Sequence, residues 1–156
     1  MSLEHDIQQK TFRNEYHKAL LNIIYTNNTL LNESNSFFKH YSVTRQQYNV
    51  LRILRGQHPG GATVQLIRER MLDKMSDASR IVERLRSKGM VTRELSTKDK
   101  RTVSITITQN GIGLLESMES CIDDLEKAIR NLSEQEARQL NELLDKIRDG
   151  QTAASG

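Results

Sequence analysis

The sequence predicts a mainly α fold carrying one small β-hairpin, and three observations predict it. One Pro, eight Gly and no Trp in 156 residues leave few chain breakers, which favours long uninterrupted helices over a many-turned β architecture. Apolar residues recur at helical spacing over most of the chain and alternate with polar ones only between about residues 90 and 108, the pattern of two strands set among helices. Leu, Ile, Val and Phe number 18, 12, 6 and 3, enough to condense a core. The whole hydrophobic share of 36% is lean for a lone globule with long helices, so a core completed against a second copy is expected. The length suits one domain and excludes a two-lobed enzyme with a cleft between large halves.

The elements follow in order. From about Ile7 to Tyr41, residues Tyr16, Leu20, Ile23, Ile24, Leu30, Leu31, Phe37 and Phe38 fall at helical spacings without Pro or Gly, so one long helix is expected. A helix of roughly 30 residues spans about 45 Å, more than a small domain needs, which again points to a partner. Thr44 with Gln47 is a capping-box pattern, with Val43 and Tyr48 as the hydrophobic staple. It opens a second helix that carries Tyr48, Leu51 and Leu54 inward and ends near Gly56. His58-Pro59-Gly60-Gly61 is a loop, because Pro and paired Gly extend neither flanking helix.

Val64, Leu66, Ile67, Met71 and Leu72 mark a short third helix, and a turn around Asp73 leads to a fourth from about Lys74 to Lys88. In that fourth helix Met75, Ala78, Val82 and Leu85 form the buried stripe, with Ile81 at its edge, and Gly89 terminates it at C′. Its other face carries Ser76, Asp77, Ser79, Arg80, Glu83, Arg84 and Ser87. Two short helices, the second with small polar groups and an Arg near its start, read as a helix-turn-helix offered to a DNA major groove. Met90 to Leu95 and Arg101 to Thr108 are the strands, Val103, Ile105 and Ile107 alternating with Thr102, Ser104 and Thr106. The charged loop Ser96 to Lys100 between them makes the hairpin a wing. Thr108 caps a fifth helix toward Arg130. Ser133 with Glu136 is a second capping box, with Leu132 and Ala137 as staple, and opens a sixth helix that carries Leu140, Leu143, Leu144 and Ile147 and stops at Gly150. The expected organisation is an N-terminal helical dimerisation region at 1–43, a winged helix-turn-helix at 44–110, C-terminal dimerisation helices at 111–150 and a disordered tail at 151–156.

Charge sharpens this reading. The net charge is +3 and the isoelectric point about 9.1, which alone says little. Residues 62–101 carry 11 Lys or Arg against 6 Asp or Glu, whereas residues 102–156 carry 5 against 10. A basic middle beside an acidic last third is the footprint of a nucleic-acid-contacting segment on a scaffold that stays off the polyanion, although charges on solvated surfaces also segregate without a partner. The polar, acidic start Met1 to Asp6 is no secretory signal, and no run approaches the roughly 18 apolar residues of a membrane span. A cytoplasmic protein without membrane contact is expected.

The run from Met71 to Leu85 (Met-Leu-Asp-Lys-Met-Ser-Asp-Ala-Ser-Arg-Ile-Val-Glu-Arg-Leu), followed by Lys88-Gly89-Met90-Val91, resembles the recognition helix and its exit in MarR-family transcription regulators. Asp99-Lys100-Arg101, with Ile107-Thr108 and Gly111 beyond it, is similar to that family's wing signature of Asp-x-Arg and a later Leu-Thr-x-x-Gly element. The similarity covers about residues 44 to 118 by motif and the whole chain by helix order. It implies a homodimer with interlocked terminal helices that reads a pseudo-palindromic double-stranded operator, usually as a repressor. Ser79 and Arg80 match positions that face DNA, Arg101 matches the wing Arg that enters the minor groove, and Asp99 matches the Asp that braces it. The chain departs from the pattern at Lys100, where the family often has Arg, at Leu66-Ile67, where a Leu-Ala pair is frequent, and at Asp77, a negative charge on the DNA side. Asp77 has two readings, acceptor from a cytosine amine or favourable charge at a helix N-terminus. The family often binds small aromatic anions in a crevice between dimer helices and winged module. His40, Tyr41, Tyr48 and Arg52 are the candidates for such an effector site here, with ordinary core packing as the alternative for the aromatic pair.

The chemistry of DNA binding assigns further roles. Phosphates need exposed cations, which Lys74, Arg84, Lys98, Lys100 and Arg101 supply. Base edges need paired donors and acceptors, for which Ser76, Ser79 and Arg80 are the candidates, the Arg fork matching O6 and N7 of guanine. Arg84 and Arg86 have the competing reading of a helical ion pair with Glu83. Cys121 is the one cysteine, so a disulfide scaffold is excluded; it reads as a structural thiol rather than an oxidant sensor. His5, His17, His40 and His58 lack zinc-site spacing, and no cofactor is expected. No nucleophile elbow, P-loop, dinucleotide fingerprint or metalloprotease motif is present, which argues against an enzyme. A winged-helix module that binds protein instead of DNA is the alternative, and it would show an apolar or acidic recognition face.

Overall fold

The computed structural model describes residues 2–152, the side chains of residues 120, 121, 125, 151 and 152 excepted. The elements are α1 (Leu3–Asp6), α2 (Glu15–His40), α3 (Arg45–Arg55), α4 (Val64–Arg70), α5 (Ala78–Ser87), β1 (Val91–Leu95), β2 (Val103–Ile107), α6 (Gln109–Glu126) and α7 (Glu134–Thr152). The chain forms two compact units, divided between Glu119 and Ser120. The fold class is the expected one, helical with a single two-stranded hairpin.

The core of the first unit is built where the apolar stripes of three short helices meet the hairpin. Val50, Leu51 and Leu54 of α3, Ile67 of α4, Met71, and Ala78, Val82 and Leu85 of α5 pack with Val91, Ile105, Ile107 and Leu115. Fully burying one such large aliphatic chain contributes about 1.5–3 kcal/mol, so the helix-turn-helix is held from behind, leaving its front free. The strands pair antiparallel with Val91 opposite Ile107 and Leu95 opposite Val103, and the alternation of β2 sends Ile105 and Ile107 into the core.

Local chemistry fixes the ends. Both halves of the Thr44–Gln47 capping box form, each at 3.1 Å. Thr63 caps α4 by accepting from Leu66 N, and Ser133 caps α7 with Glu136 closing its box. Thr108 Oγ1 accepts from Gly111 N at 3.2 Å, as its expected capping role requires. Gly89, at φ 71, ends α5 as expected.

Several expectations are corrected. The first long helix begins at Glu15 rather than near Ile7, because Asn14 caps it by accepting from His17 N at 2.9 Å. Residues 7–14 lie outside any helix and follow the short α1, which is pinned back by a Glu4–Lys18 ion pair of 2.5 Å; that pair and its hydrogen bonds lower the Glu4 carboxyl to about 2. The fourth helix begins at Ala78 rather than Lys74, since Asp77 caps it and Asp73 Oδ1 takes Met75 N into a turn. Met75 is consequently 94% exposed, outside the buried stripe, and Leu72 of the same turn is also exposed, while Met71 fills the core. An additional pairing joins Ala62 to Ile105 through two backbone bonds of 2.8 Å. α6 ends at Glu126, short of Arg130. α7 passes through Gly150 to Thr152; one glycine weakens a helix without stopping it when nothing turns the chain. Of the expected tail, residues 153–156 lie outside the described residues, as does the side chain of Cys121.

In the second unit, α7 leaves Leu140, Leu143 and Ile147 exposed on one stripe, while α2 in the first unit leaves Tyr16, Leu20, Ile23 and Ile24 exposed.

Candidate nucleic-acid interface

The site begins with the way α5 is held. Ala78, Val82 and Leu85 are buried, so the helical period turns Ser79, Arg80, Glu83, Arg84 and Ser87 outward, where all five are exposed. Asp77 Oδ1 accepts from Arg80 N at 3.1 Å, giving the carboxylate the helix-N-terminal role that was one of its two readings. Arg86 forms a forked pair with Glu83, at 3.1 Å through Nε and 2.5 Å through a terminal nitrogen. That pair draws Glu83 below its ordinary value and occupies the one carboxylate within α5 itself. Arg80 and Arg84 are thereby left with no acidic partner within 4 Å among the described residues, so the ion-pair reading holds for Arg86 and not for Arg84.

The turn before α5 places the other residues of this group. Asp73 is held below its usual range chiefly by the Met75 backbone N–H, then by Ser76 and Gln46. Ser76 is therefore half-buried and already bonded inward, and the Lys74 ammonium donates to the Glu69 carbonyl. A cleft of about 290 Å³ runs between the starts of α3 and α5 and brings Ser76, Asp77, Arg80 and Arg84 together with Thr44 and Gln46. Sequence reasoning missed Thr44 and Gln46 on this face: the Thr44–Gln47 capping pattern is local, whereas the closeness of Thr44 and Gln46 to α5 arises only from helix packing.

The wing is ordered by its own backbone. Ser96 N donates to Thr102 O at 2.7 Å, and Ser96 Oγ accepts from Lys98 N and Asp99 N. Asp99 Oδ1 accepts from Arg101 N at 3.0 Å and from its Nε at 3.3 Å, and these bonds hold the Asp99 carboxyl below its ordinary value, the backbone bond first. The Arg101 side chain remains 92% exposed, and Lys98 and Lys100 are exposed beside it. Three cations thus project from one tip.

The four effector candidates lie at the end of α2, His40 with Tyr41 just beyond it, and along α3, Tyr48 and Arg52. Tyr41 packs tilted against Phe37 and edge-on against His40 at ring distances of 5.3 and 5.2 Å, and Tyr48 tilted against Phe38 at 5.1 Å. Tyr41 Oη donates to Ser117 O at 3.4 Å. Burial pushes the Tyr48 phenol up, with Arg52 and Arg55 acting against it, and Arg52 itself is exposed. A cleft of about 480 Å³ lies among Asn27, Leu31, Arg45, Asn49 and Asp73. Among the described residues no three His, Cys, Asp or Glu stand close enough to hold a metal, and no helix is long and apolar enough to cross a membrane.

A helix-turn-helix with its second helix exposed and cationic, followed by a hairpin tipped with three more cations, defines a winged-helix DNA-binding protein. Comparison with known proteins then narrows the class. A profile of the MarR family matches residues 41–102. The HTH-type transcriptional regulator MgrA of Staphylococcus aureus is 31% identical over 114 residues, 73% of this chain and 76% of that protein. The HTH-type transcriptional regulator MhqR of Bacillus subtilis is 26% identical over 72% of this chain and 77% of its own. A crystal structure of a MarR mutant from E. coli complexed with operator DNA superposes with a TM-score of 0.75 at 25% identity, covering 88% of this chain and 99% of that one. The chain belongs to the MarR family of winged helix-turn-helix transcription regulators: it is a DNA-binding regulator and not an enzyme.

Proposed function

We propose that the protein is a cytoplasmic repressor that binds a pseudo-palindromic double-stranded operator as a homodimer and is released by a small effector. The observation that carries this is the cationic character of the DNA face: Arg80 and Arg84 on α5 have no acid partner among the described residues, and Arg101, paired with Asp99, stays exposed on the wing. In this reading Arg80 and Ser79 read base edges in the major groove, with Ser76 and Asp77 beside them at the helix entry. Lys74, Arg84, Lys98 and Lys100 bind phosphates, and Arg101, steadied by Asp99, enters the minor groove, where narrow width deepens the negative potential. Residues 44–110 form the DNA-binding module; 1–43 and 111–150 supply the dimer contacts through the apolar stripes of α2 and α7. A small aromatic anion held near His40, Tyr41, Tyr48 and Arg52 is the proposed releasing ligand. A protein-binding winged helix is disfavoured because the exposed face of α5 is polar and cationic.

A gel shift of the protein on the DNA upstream of its own gene, with and without a phenolic carboxylate such as salicylate, tests the whole reading. A discrete complex that survives excess random duplex and weakens with the phenolic acid is expected; binding equal to that of random duplex would sink it.

A further inference from the structure

Two helices of this protein end alike, and one side chain joins the ends. At the end of α2, Ser42 N donates to Lys39 O at 3.0 Å and Val43 N to Phe38 O at 3.2 Å. At the end of α5, Gly89 N donates to Arg86 O at 2.9 Å and Met90 N to Leu85 O at 3.0 Å. Both are Schellman endings, with Ser42 at φ 56 and Gly89 at φ 71 in the left-handed position. Lys88, the C-cap of α5, sends its ammonium across to the other ending, 2.6 Å from Ser42 O and 3.4 Å from Gln47 Oε1. The same Gln47 oxygen accepts from Thr44 N at 3.1 Å. A single cation from the end of α5 therefore lies at the negative end of the α2 dipole and against the first turn of α3.

Two features separate this from an ordinary surface lysine. Ser42 is a residue with a Cβ in a left-handed conformation, which persists where surrounding contacts hold it. Gln47 is a buried polar side chain, 4% exposed, and a buried amide oxygen is stabilised by each donor it gains. Hydrogen bonds from a charged donor are the stronger kind. The bond from Lys88 thus constrains the one place where α2, α3 and α5 all terminate or begin.

We propose that Lys88 is a positioning residue for DNA recognition, fixing the exit of α5 against the α2–α3 elbow so that Ser79, Arg80 and Arg84 are presented at the right angle. It acts through that geometry and makes no phosphate contact of its own. The proposal rests on α5 being the DNA-reading helix.

The test uses a duplex that the wild-type protein selects from a random library, alongside a random duplex of equal length. Lys88→Met should weaken binding to the selected duplex about tenfold, the order expected for losing a charge-assisted bond. Binding to the random duplex and the log–log salt slope should both stay unchanged, and Lys88→Arg should recover most of the affinity. In the DNA-free Lys88→Met protein, amide exchange at Ser42, Gly89 and Met90 should quicken. Equal losses on both duplexes with a slope shallower by about 1.8, two phosphates for the two copies in a dimer, would make Lys88 a phosphate contact and overturn the proposal. Unchanged affinity, or unchanged exchange at those amides, would overturn it too, and the exchange measurement stands even where DNA binding is too weak to fit. A wild-type protein that selects no sequence would remove the DNA-reading role itself, a failure visible before any variant is made.

Discussion

Ser42 holds φ 56, where the Cβ of an L-residue crowds the following carbonyl at a cost of roughly 1–2 kcal/mol. Glycine removes that cost but loses more entropy on folding, by about 0.5–1 kcal/mol. Ser42→Gly should therefore stabilise the fold by about 0.5–1 kcal/mol in urea unfolding, and a destabilised variant would mean that the serine side chain contributes more than its backbone costs. Gly61 presents the opposite case. A Cβ there would lie 2.8 Å from the Ile105 carbonyl, across the bridge from Ala62 to Ile105. Backbone cannot swing aside as a side chain can, so Gly61→Ala should cost about 1–3 kcal/mol, and an unchanged unfolding midpoint would count against that close approach. At Asp99 the bonds from Arg101 favour the charged carboxylate. A depressed pKa means that the order it lends the wing is complete above its ordinary value of 3.8 and fades only as pH falls below that through the folded value. Carboxylate titration followed by NMR should place Asp99 below an exposed aspartate, with Arg101→Ala moving it only part of the way back because the backbone donor remains. A full return would show that the guanidinium alone is responsible.

At the scale of elements, the start of α5 decides both stability and readout. Asp77 caps that helix, and replacing such a cap by Ala costs about 0.5–2 kcal/mol. Asp77→Ser keeps an acceptor while removing a negative charge from the DNA face, so it should leave stability nearly unchanged and tighten binding to selected and random duplexes alike. Loss confined to duplexes with a cytosine at one position would show instead that Asp77 reads that base. The same helix marks where sequence is legible and where it is not. The stripe of Ala78, Val82 and Leu85, the terminating Gly89 and the Thr44–Gln47 box could all be read because each is a local pattern with one physical meaning. The entry to α5 could not be placed, because Asp73 and Asp77 both suit a cap and the apolar Met75 fits a helical stripe that the turn then breaks. The free state of Arg80 was half legible: helical spacing puts Glu83 three residues from both Arg80 and Arg86, and the side-chain geometry gives it to Arg86. The Ala62–Ile105 bridge and the Lys88–Ser42 bond join residues 43 and 46 positions apart, and no pattern in either segment signals the other.

At the scale of the whole molecule, the exposed apolar stripes of α2 and α7 call for a cover. Leu20 is 55% and Leu143 60% exposed, with Tyr16, Ile23, Ile24, Leu140 and Ile147 beside them on their helices. Single exposed apolar residues are ordinary, but rows at helical spacing on two helices are the kind of surface that marks an interface. A second copy is the economical cover, since a two-fold dimer brings two identical stripes together and also pairs two winged modules about one helical turn of DNA apart. Such a dimer should make about 6 to 8 phosphate contacts, which gives a log–log salt slope of about −5 to −7. Leu143→Glu puts a charge at the centre of the α7 stripe, on a residue that is already largely exposed in the single chain, so the fold should survive while the dimer does not. Sedimentation should find the wild type at twice the chain mass and Leu143→Glu at one, with helicity retained. If the two modules bind as a unit, the variant's salt slope should fall to about half, near −3, because one module touches half the phosphates. Affinity for the selected duplex should fall further than affinity for random DNA, since the loss of linked binding removes the high effective concentration of the second module. A wild type that sediments as a single chain, or a monomeric variant that keeps the full slope, would show that each winged module binds alone and that the apolar stripes serve another partner.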